Sequence, residues 1–193
     1  MRYLLSLVLV VTHLGLFAQN VNKQNIPERK AANRVEMALP QVNGYTALRC
    51  DFHSHTVFSD GLVWPSYRIG EAWIQGLDVL AITDHIEYRP FKEYVGGDFN
   101  TSYELALPVA REYGIMLIKG TEVTRKQGVL GHFNALFIKD ANAIDKPDPE
   151  QALQAAYDQG AFIMLNHPGW AVDTCLLTGF QQKMLDKGLV RGI

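Results

Sequence analysis

From Thr46 onward, short apolar runs alternate with longer segments of helical period. The runs are Leu48–His53, Leu77–Thr83, Ile115–Gly120, Phe133–Ile138, Ala161–Asn166 and Leu189–Ile193. Between them, Pro65–Gln75, Ser102–Tyr113, Pro149–Gln159 and about Phe180–Lys187 read as helices. Pro65 and Pro149 suit first helical positions, where a missing N–H costs nothing. Thr101 and Glu104 have capping-box spacing, and Gly76, Gly114, Gly160 and Gly188 each follow a helical segment. Near-continuous apolar strands alternating with helices imply a parallel sheet covered on both faces, hence an α/β fold. One stretch breaks the rhythm: no convincing helix joins the third run to the fourth.

The polar residues sit where the runs end. His53 and His55 close the first run, Asp84 and His85 the second, and Asn166 and His167 the fifth, while Glu122 follows the third and His132 opens the fourth. In a (β/α) barrel the carboxyl ends of the strands share one face, so such residues meet there. A doubly wound sheet would also gather strand ends, but no G-x-G-x-x-G or phosphate loop follows any run.

The chain's 193 residues, 48% hydrophobic and 20% charged, fit one globular domain or a part of a larger one. A net charge of −2 with no basic stripe argues against a nucleic-acid partner. Residues 1–18 read as a secretory signal, with Arg2 before the apolar Tyr3–Phe17 and a small Ala18 for cleavage. Thr12 and His13 interrupt that run, which is shorter than the roughly 20 residues a membrane span needs, so export without stable membrane insertion is expected. Residues 19–45 form a polar leader, and 46–193 carry the barrel pattern. Cys50, expected in a buried strand, and Cys175, expected in a loop, read as free or buried thiols; neither has a C-x-x-C partner.

Apart from His13, every histidine lies at a run end or in its adjoining loop. One such His is ordinary, but five with interleaved carboxylates point to metal. In D-F-H-S-H the two imidazoles are two residues apart, so on a strand they point to one side. Asp60 follows in a loop with Gly61, and Glu122 is a carboxylate able to bridge two cations. Nitrogen and oxygen ligands without thiolate suit Zn, Mn or Fe.

The ordered motifs D-F-H-S-H-T-V-F-S-D-G, A-I-T-D-H, K-G-T-E-V, G-H-F-N and L-N-H-P-G-W resemble those of the PHP (polymerase and histidinol phosphatase) family over about residues 48–170. The resemblance implies a distorted (β/α)7 TIM-like barrel, incomplete in this chain, with two or three divalent metal ions that hydrolyse a small phosphate ester through metal-activated water. By motif, His53, His55 and Glu122 would hold one ion, Glu122, His132 and His167 a second, and Asp60 and His85 would contribute to a third. Asp84 is the candidate catalytic carboxylate beside them, either as a further ligand or by orienting a neighbouring His. The family's closing D-x-H is absent up to Ile193, so the natural protein is expected to supply it beyond that residue. Arg89, Arg125 and Lys126 are candidate substrate cations, and Trp170 beside His167 is a candidate wall or stacking surface. Two other readings stay open. An amidohydrolase also opens with H-x-H, and a degenerate PHP barrel could serve as a metal-binding module.

Overall fold

The computed structural model describes residues 33–125, 130–169 and 176–193. The expected signal and residues 19–32 of the leader lie outside these. The end of the leader lies against the domain: Arg34 pairs with Asp78 at 2.9 Å, and Val35 N donates to Ile74 O. Among the described residues, no helix is long and apolar enough to cross a membrane.

The elements in chain order are β1 (Cys50–Asp51), α1 (Pro65–Ile74), β2 (Val79–Ile82), α2 (Thr101–Tyr113), β3 (Met116–Val123) and β4 (His132–Leu136). A short 3-10 turn (Asn142–Ile144), α3 (Pro149–Asp158), β5 (Phe162–Asn166) and α4 (Gly179–Asp186) follow. Each helix start has a local cause. Pro65 and Pro149 occupy the first turns of α1 and α3, and the Asp148 side chain accepts from Gln151 N. The expected Thr101–Glu104 box does not form. Asn100 is the N-cap but its side chain does not cap the helix, and the Thr101 hydroxyl turns to Asp98 instead. The box that forms is on α4, where Thr178 and Gln181 satisfy each other.

The five strands form one mixed sheet in sequence order, curled as part of a barrel. β1, β2 and β3 are parallel, as expected, but β4 is antiparallel to both β3 and β5. This corrects the all-parallel expectation. The reason is length: a parallel crossover needs a dozen or more residues, and only residues 124–131 separate β3 from β4. The last run makes a single parallel bridge, Met164 to Gly192, and no named strand.

Strand alternation sorts the core. Leu80 and Ile82 face Ile69, Ala72, Ala106 and Ala110 of α1 and α2, while Val79 and Ala81 face Ile118 and Leu136 on the other side. Across β4 and β5, Phe133, Ala135, Ile163 and Leu165 pack under α3 and α4 around Leu153 and Met184. Cys50 is exposed on its short strand, correcting the expectation of burial; Cys175 lies outside the described residues.

Leu153 is fully buried between α3 and the sheet. Leu153→Ala should lower unfolding stability by about 2–5 kcal/mol in chemical denaturation. A loss well under that range would mean α3 is not docked as described.

Candidate metal centre

The first loop is aimed by backbone pairing that outlasts β1. Thr83 N donates to Ser54 O at 2.9 Å, and Ser54 Oγ donates to Ala81 O at 2.6 Å. Ser54 is thereby pinned toward β2, and the flanking His53 and His55 turn to the opposite side. Their Nε2 atoms lie 3.0 Å apart. The chain then folds back on itself so that Asp60 Oδ1 reaches 3.6 Å from His55 Nδ1. This return requires Gly61, since a Cβ there would meet His55 C and O and Thr56 N at 2.5–2.6 Å.

Asp84 holds this loop. Its carboxylate accepts from Thr56 N (2.6 Å), Thr56 Oγ1 (2.7 Å) and Ser59 Oγ (2.8 Å), and Ser59 Oγ lies 3.3 Å from His55 Nδ1. Asp84 therefore reaches His55 through Ser59. Next in sequence, His85 lies level with Glu122 in a parallel bridge, its Nδ1 2.6 Å from Thr124 Oγ1 and its Nε2 3.6 Å from Asp60 Oδ2.

Glu122 is completely buried, and the other groups surround it. Around Oε2 stand His53 Nε2 (3.2 Å), His55 Nε2 (3.2 Å) and His85 Nδ1 (3.4 Å). Around Oε1 stand His132 Nδ1 (2.8 Å), Asn166 Nδ2 (3.0 Å) and His167 Nε2 (3.8 Å). His132 arrives because β4 is reversed, which brings its first residue to the end where β1, β2 and β5 finish. His167 arrives through a strained turn: its φ is +28°, a region that non-glycine residues seldom occupy. Its ring stacks near His53 and His132, with centroids 5.5 and 4.7 Å away.

The donor set fits divalent ions. Among the described residues, three groups have ligand atoms mutually within 4.8 Å: His53–His55–Glu122, His55–Asp60–His85 and His85–Glu122–His132. Ligands about 2.0–2.2 Å from a tetrahedral ion lie about 3.3–3.6 Å from one another. The spacings around Oε2 are close to that. Burial alone would raise the Glu122 carboxyl, but hydrogen bonds from His132, His53 and His55 outweigh it and hold the group well below the usual range. Burial lowers His85 and His167, which favours the neutral form a ligand needs. Burial also acts to lower His55, but its contact with Glu122 and nearby carboxylates raises it overall.

The expected cations are placed differently. Arg125 is bound by Glu87 (3.2 Å) and Asp145 (2.6 Å), so its charge is offset within the protein. Arg89 donates to Phe58 O and Gly97 O and lies over the Phe99 ring. Lys126 and Trp170 lie outside the described residues. Asn166, Ser59 and Thr124 were not anticipated as site residues. Asn166 is signalled only by its place beside His167, and nothing in sequence distinguishes the other two from ordinary loop hydroxyls.

Two outcomes follow from this geometry. Gly61→Ala must displace the His55–Asp60 loop, so metal analysis should show reduced metal content with stability lowered by about 1–3 kcal/mol. Retention of the full metal complement would remove Asp60 from the centre. The depressed Glu122 stabilises the fold above its unfolded value of about 4.3, and that stabilisation is lost as pH falls below it. Metal-free Glu122→Gln should accordingly show a flatter acid-unfolding profile than wild type below about pH 4.3, and an equal slope would contradict the pairing.

No protein-family model matches the chain. Among solved structures it is similar to a two-domain protein from Bacteroides vulgatus ATCC 8482 containing a predicted PHP-like metal-dependent phosphoesterase. The two share 45% identity and a TM-score of 0.80, covering 83% of this chain and 48% of that one. A candidate metal-dependent phosphoesterase from Bifidobacterium adolescentis ATCC 15703 has 19% identity and a TM-score of 0.55 over 76% of this chain and 77% of that one, a likeness of fold alone. The uncharacterized protein MJ1295 of Methanocaldococcus jannaschii is 35% identical over 79 residues, 40% of this chain and 34% of that protein. A 5'-3' exoribonuclease of Haemophilus influenzae is 34% identical over 74 residues, 38% of this chain and 23% of that protein. The chain thus spans about half of the Bacteroides protein and about a third or less of these curated relatives. Motifs and structural likeness point the same way: the Bacteroides neighbour contains a predicted PHP-like metal-dependent phosphoesterase, the family whose motifs this chain resembles.

Proposed function

We propose that this chain carries the metal-binding part of an exported phosphate-ester hydrolase built on a distorted (β/α)7 barrel of PHP type. The observation that carries the reading is the convergence of five imidazoles and Asp60 around one buried carboxylate, Glu122. A purely structural cluster would not require so many ring nitrogens at ligand spacing.

His53, His55 and Glu122 Oε2 would hold one divalent ion, and Glu122 Oε1, His132 and His167 a second. Asp60 and His85, with His55, would hold a third. Zn, Mn and Fe all suit this donor set. Bound ions of this kind acidify a water and offset negative charge on phosphoryl oxygens. The chain's own contribution is aim. Asp84, through Thr56 and Ser59, keeps His55 and Asp60 facing the centre, and Thr124 fixes His85 so that its Nε2 faces Asp60. Asp84 is thus proposed as a positioning carboxylate.

Beyond His85 the chain lines a crevice of ≈ 360 Å³ with Ile86, Glu87, Arg89, Lys92, Phe99 and Arg125. Its size and mixed polarity suit the organic part of a small ester. Arg89 and Lys92 are its better candidates for an anionic group, because Arg125 is already paired.

Full-length protein loaded with Mn or Zn should hydrolyse a generic phosphomonoester, and His53→Ala should reduce the rate by at least about 100-fold, the upper end of what orienting groups alone are worth. Absence of bound transition metal on elemental analysis would sink the proposal. Including 5′-phosphorylated RNA in the substrate panel separates a small-ester hydrolase from a nuclease of the kind named for the Haemophilus relative.

A further inference from the structure

The two oxygens of Glu122 have different neighbours, and one side chain outside the imidazole set marks the difference. Oε2 faces His53, His55 and His85, while Oε1 accepts from His132 Nδ1 and from Asn166 Nδ2 at 3.0 Å. The orientation of the Asn166 amide is fixed by chemistry, since an ionised carboxylate offers only acceptors and must meet the NH₂ end. Asn166 is 4% exposed and sits directly opposite His132 in the β4–β5 ladder, so the sheet backbone sets its position. Its own Oδ1 is buried with no hydrogen-bond partner among the described residues.

Asn134, buried on the neighbouring strand, supplies a comparison: its Oδ1 likewise has no partner among the described residues, but its Nδ2 donates to the Phe52 carbonyl. What sets Asn166 apart is that its donor meets the buried Glu122 carboxylate directly.

We infer that Asn166 is a positioning residue that ranks the two sides of the metal centre, holding Glu122 Oε1 toward His132 and His167 so that binding on that side depends on it. The inference rests on the metal-centre reading above. In the metal-free geometry, His132 and Asn166 share Oε1. If His132 were to offer its Nδ1 lone pair to an ion it would cease to donate, and Asn166 would be left as the N–H that holds Oε1. The His53 and His55 side meets Oε2 and does not involve Asn166.

The test is calorimetric titration of metal-stripped full-length protein with Mn²⁺ and with Zn²⁺, with metal stoichiometry read alongside. Wild type should bind at least two equivalents of unequal affinity. Asn166→Leu, close in volume but without a donor, should leave the tightest equivalent unchanged and weaken the next by about 10–100-fold, the range expected when a group orienting a ligand is lost. Asn134→Leu should show no such selective loss of the weaker equivalent. Should Asn166→Leu fail to fold by thermal unfolding, Asn166→Ser, whose hydroxyl is too short to reach Glu122, should show the same selective weakening. Equal weakening of every equivalent, or no change in any, overturns the inference. Wild type that binds no metal overturns both this and the function reading. Wild type that binds two equivalents, with Asn166→Leu indistinguishable from it, overturns this one alone.

Discussion

A carboxylate with no exposed surface is the constraint on which the rest of the site depends. Removing Glu122 from water is unfavourable by several kcal/mol unless its charge is matched and its lone pairs are filled. Hydrogen bonds from His132, His53 and His55 do this, and they win over the desolvation that acts against the ionised form. The surrounding architecture can be read as the means of delivering those donors to one point. Ser54 is pinned to β2 so that its neighbours turn inward, and Asp84 clamps the following loop. His167 sits in a backbone conformation that is held by its surroundings against local preference.

The reversal of β4 belongs to the same logic. In an all-parallel barrel the first residue of a strand lies at the face away from the carboxyl ends, where His132 could not meet Glu122. A short connection forces the strand to run back, and the reversal that breaks the barrel rhythm brings His132 to the site. The antiparallel pairing also places His132 opposite Asn166, so the two donors to Oε1 come from adjacent positions in one ladder. A single connection length therefore sets both the sheet topology and half of the centre.

The charge around the mouth is more balanced than a count of cations suggests. Arg125 is held by Glu87 and Asp145, and Arg89 is tied to two backbone carbonyls. These arginines brace the loops that follow β2 and β3. That bracing reaches the centre through Thr124, whose hydroxyl hydrogen-bonds with His85 Nδ1 and whose backbone N–H donates to Glu87. A negatively charged substrate would thus meet a site whose attraction comes chiefly from bound ions.

Much of this was legible in the chain. Apolar runs and helix punctuation located the described strands and α-helices to within a few residues, because burial and capping are local requirements written in residue type. The 3-10 turn at Asn142–Ile144 was not foreseen, and the last run formed only a bridge. The convergence of His53, His55, His85, Glu122, His132 and His167 followed from their places at run ends, since any α/β sheet gathers strand ends. What the sequence could not carry were the relations set by three-dimensional neighbours. Strand direction at β4 depended on connection length more than on apolar pattern. Thr101 had the spacing for a cap but found Asp98 closer. Cys50 read as buried, yet its strand is only two residues long and leaves it exposed. Asn166 and Thr124 became part of the site through ladder register and a hydroxyl's reach, and Arg125 was drawn away from it by carboxylates 20 and 38 residues distant in sequence. Residue type decides which groups can bind a metal; tertiary packing decides which oxygen of Glu122 each one meets, because that depends on distances of a few tenths of an ångström between segments that share no local sequence.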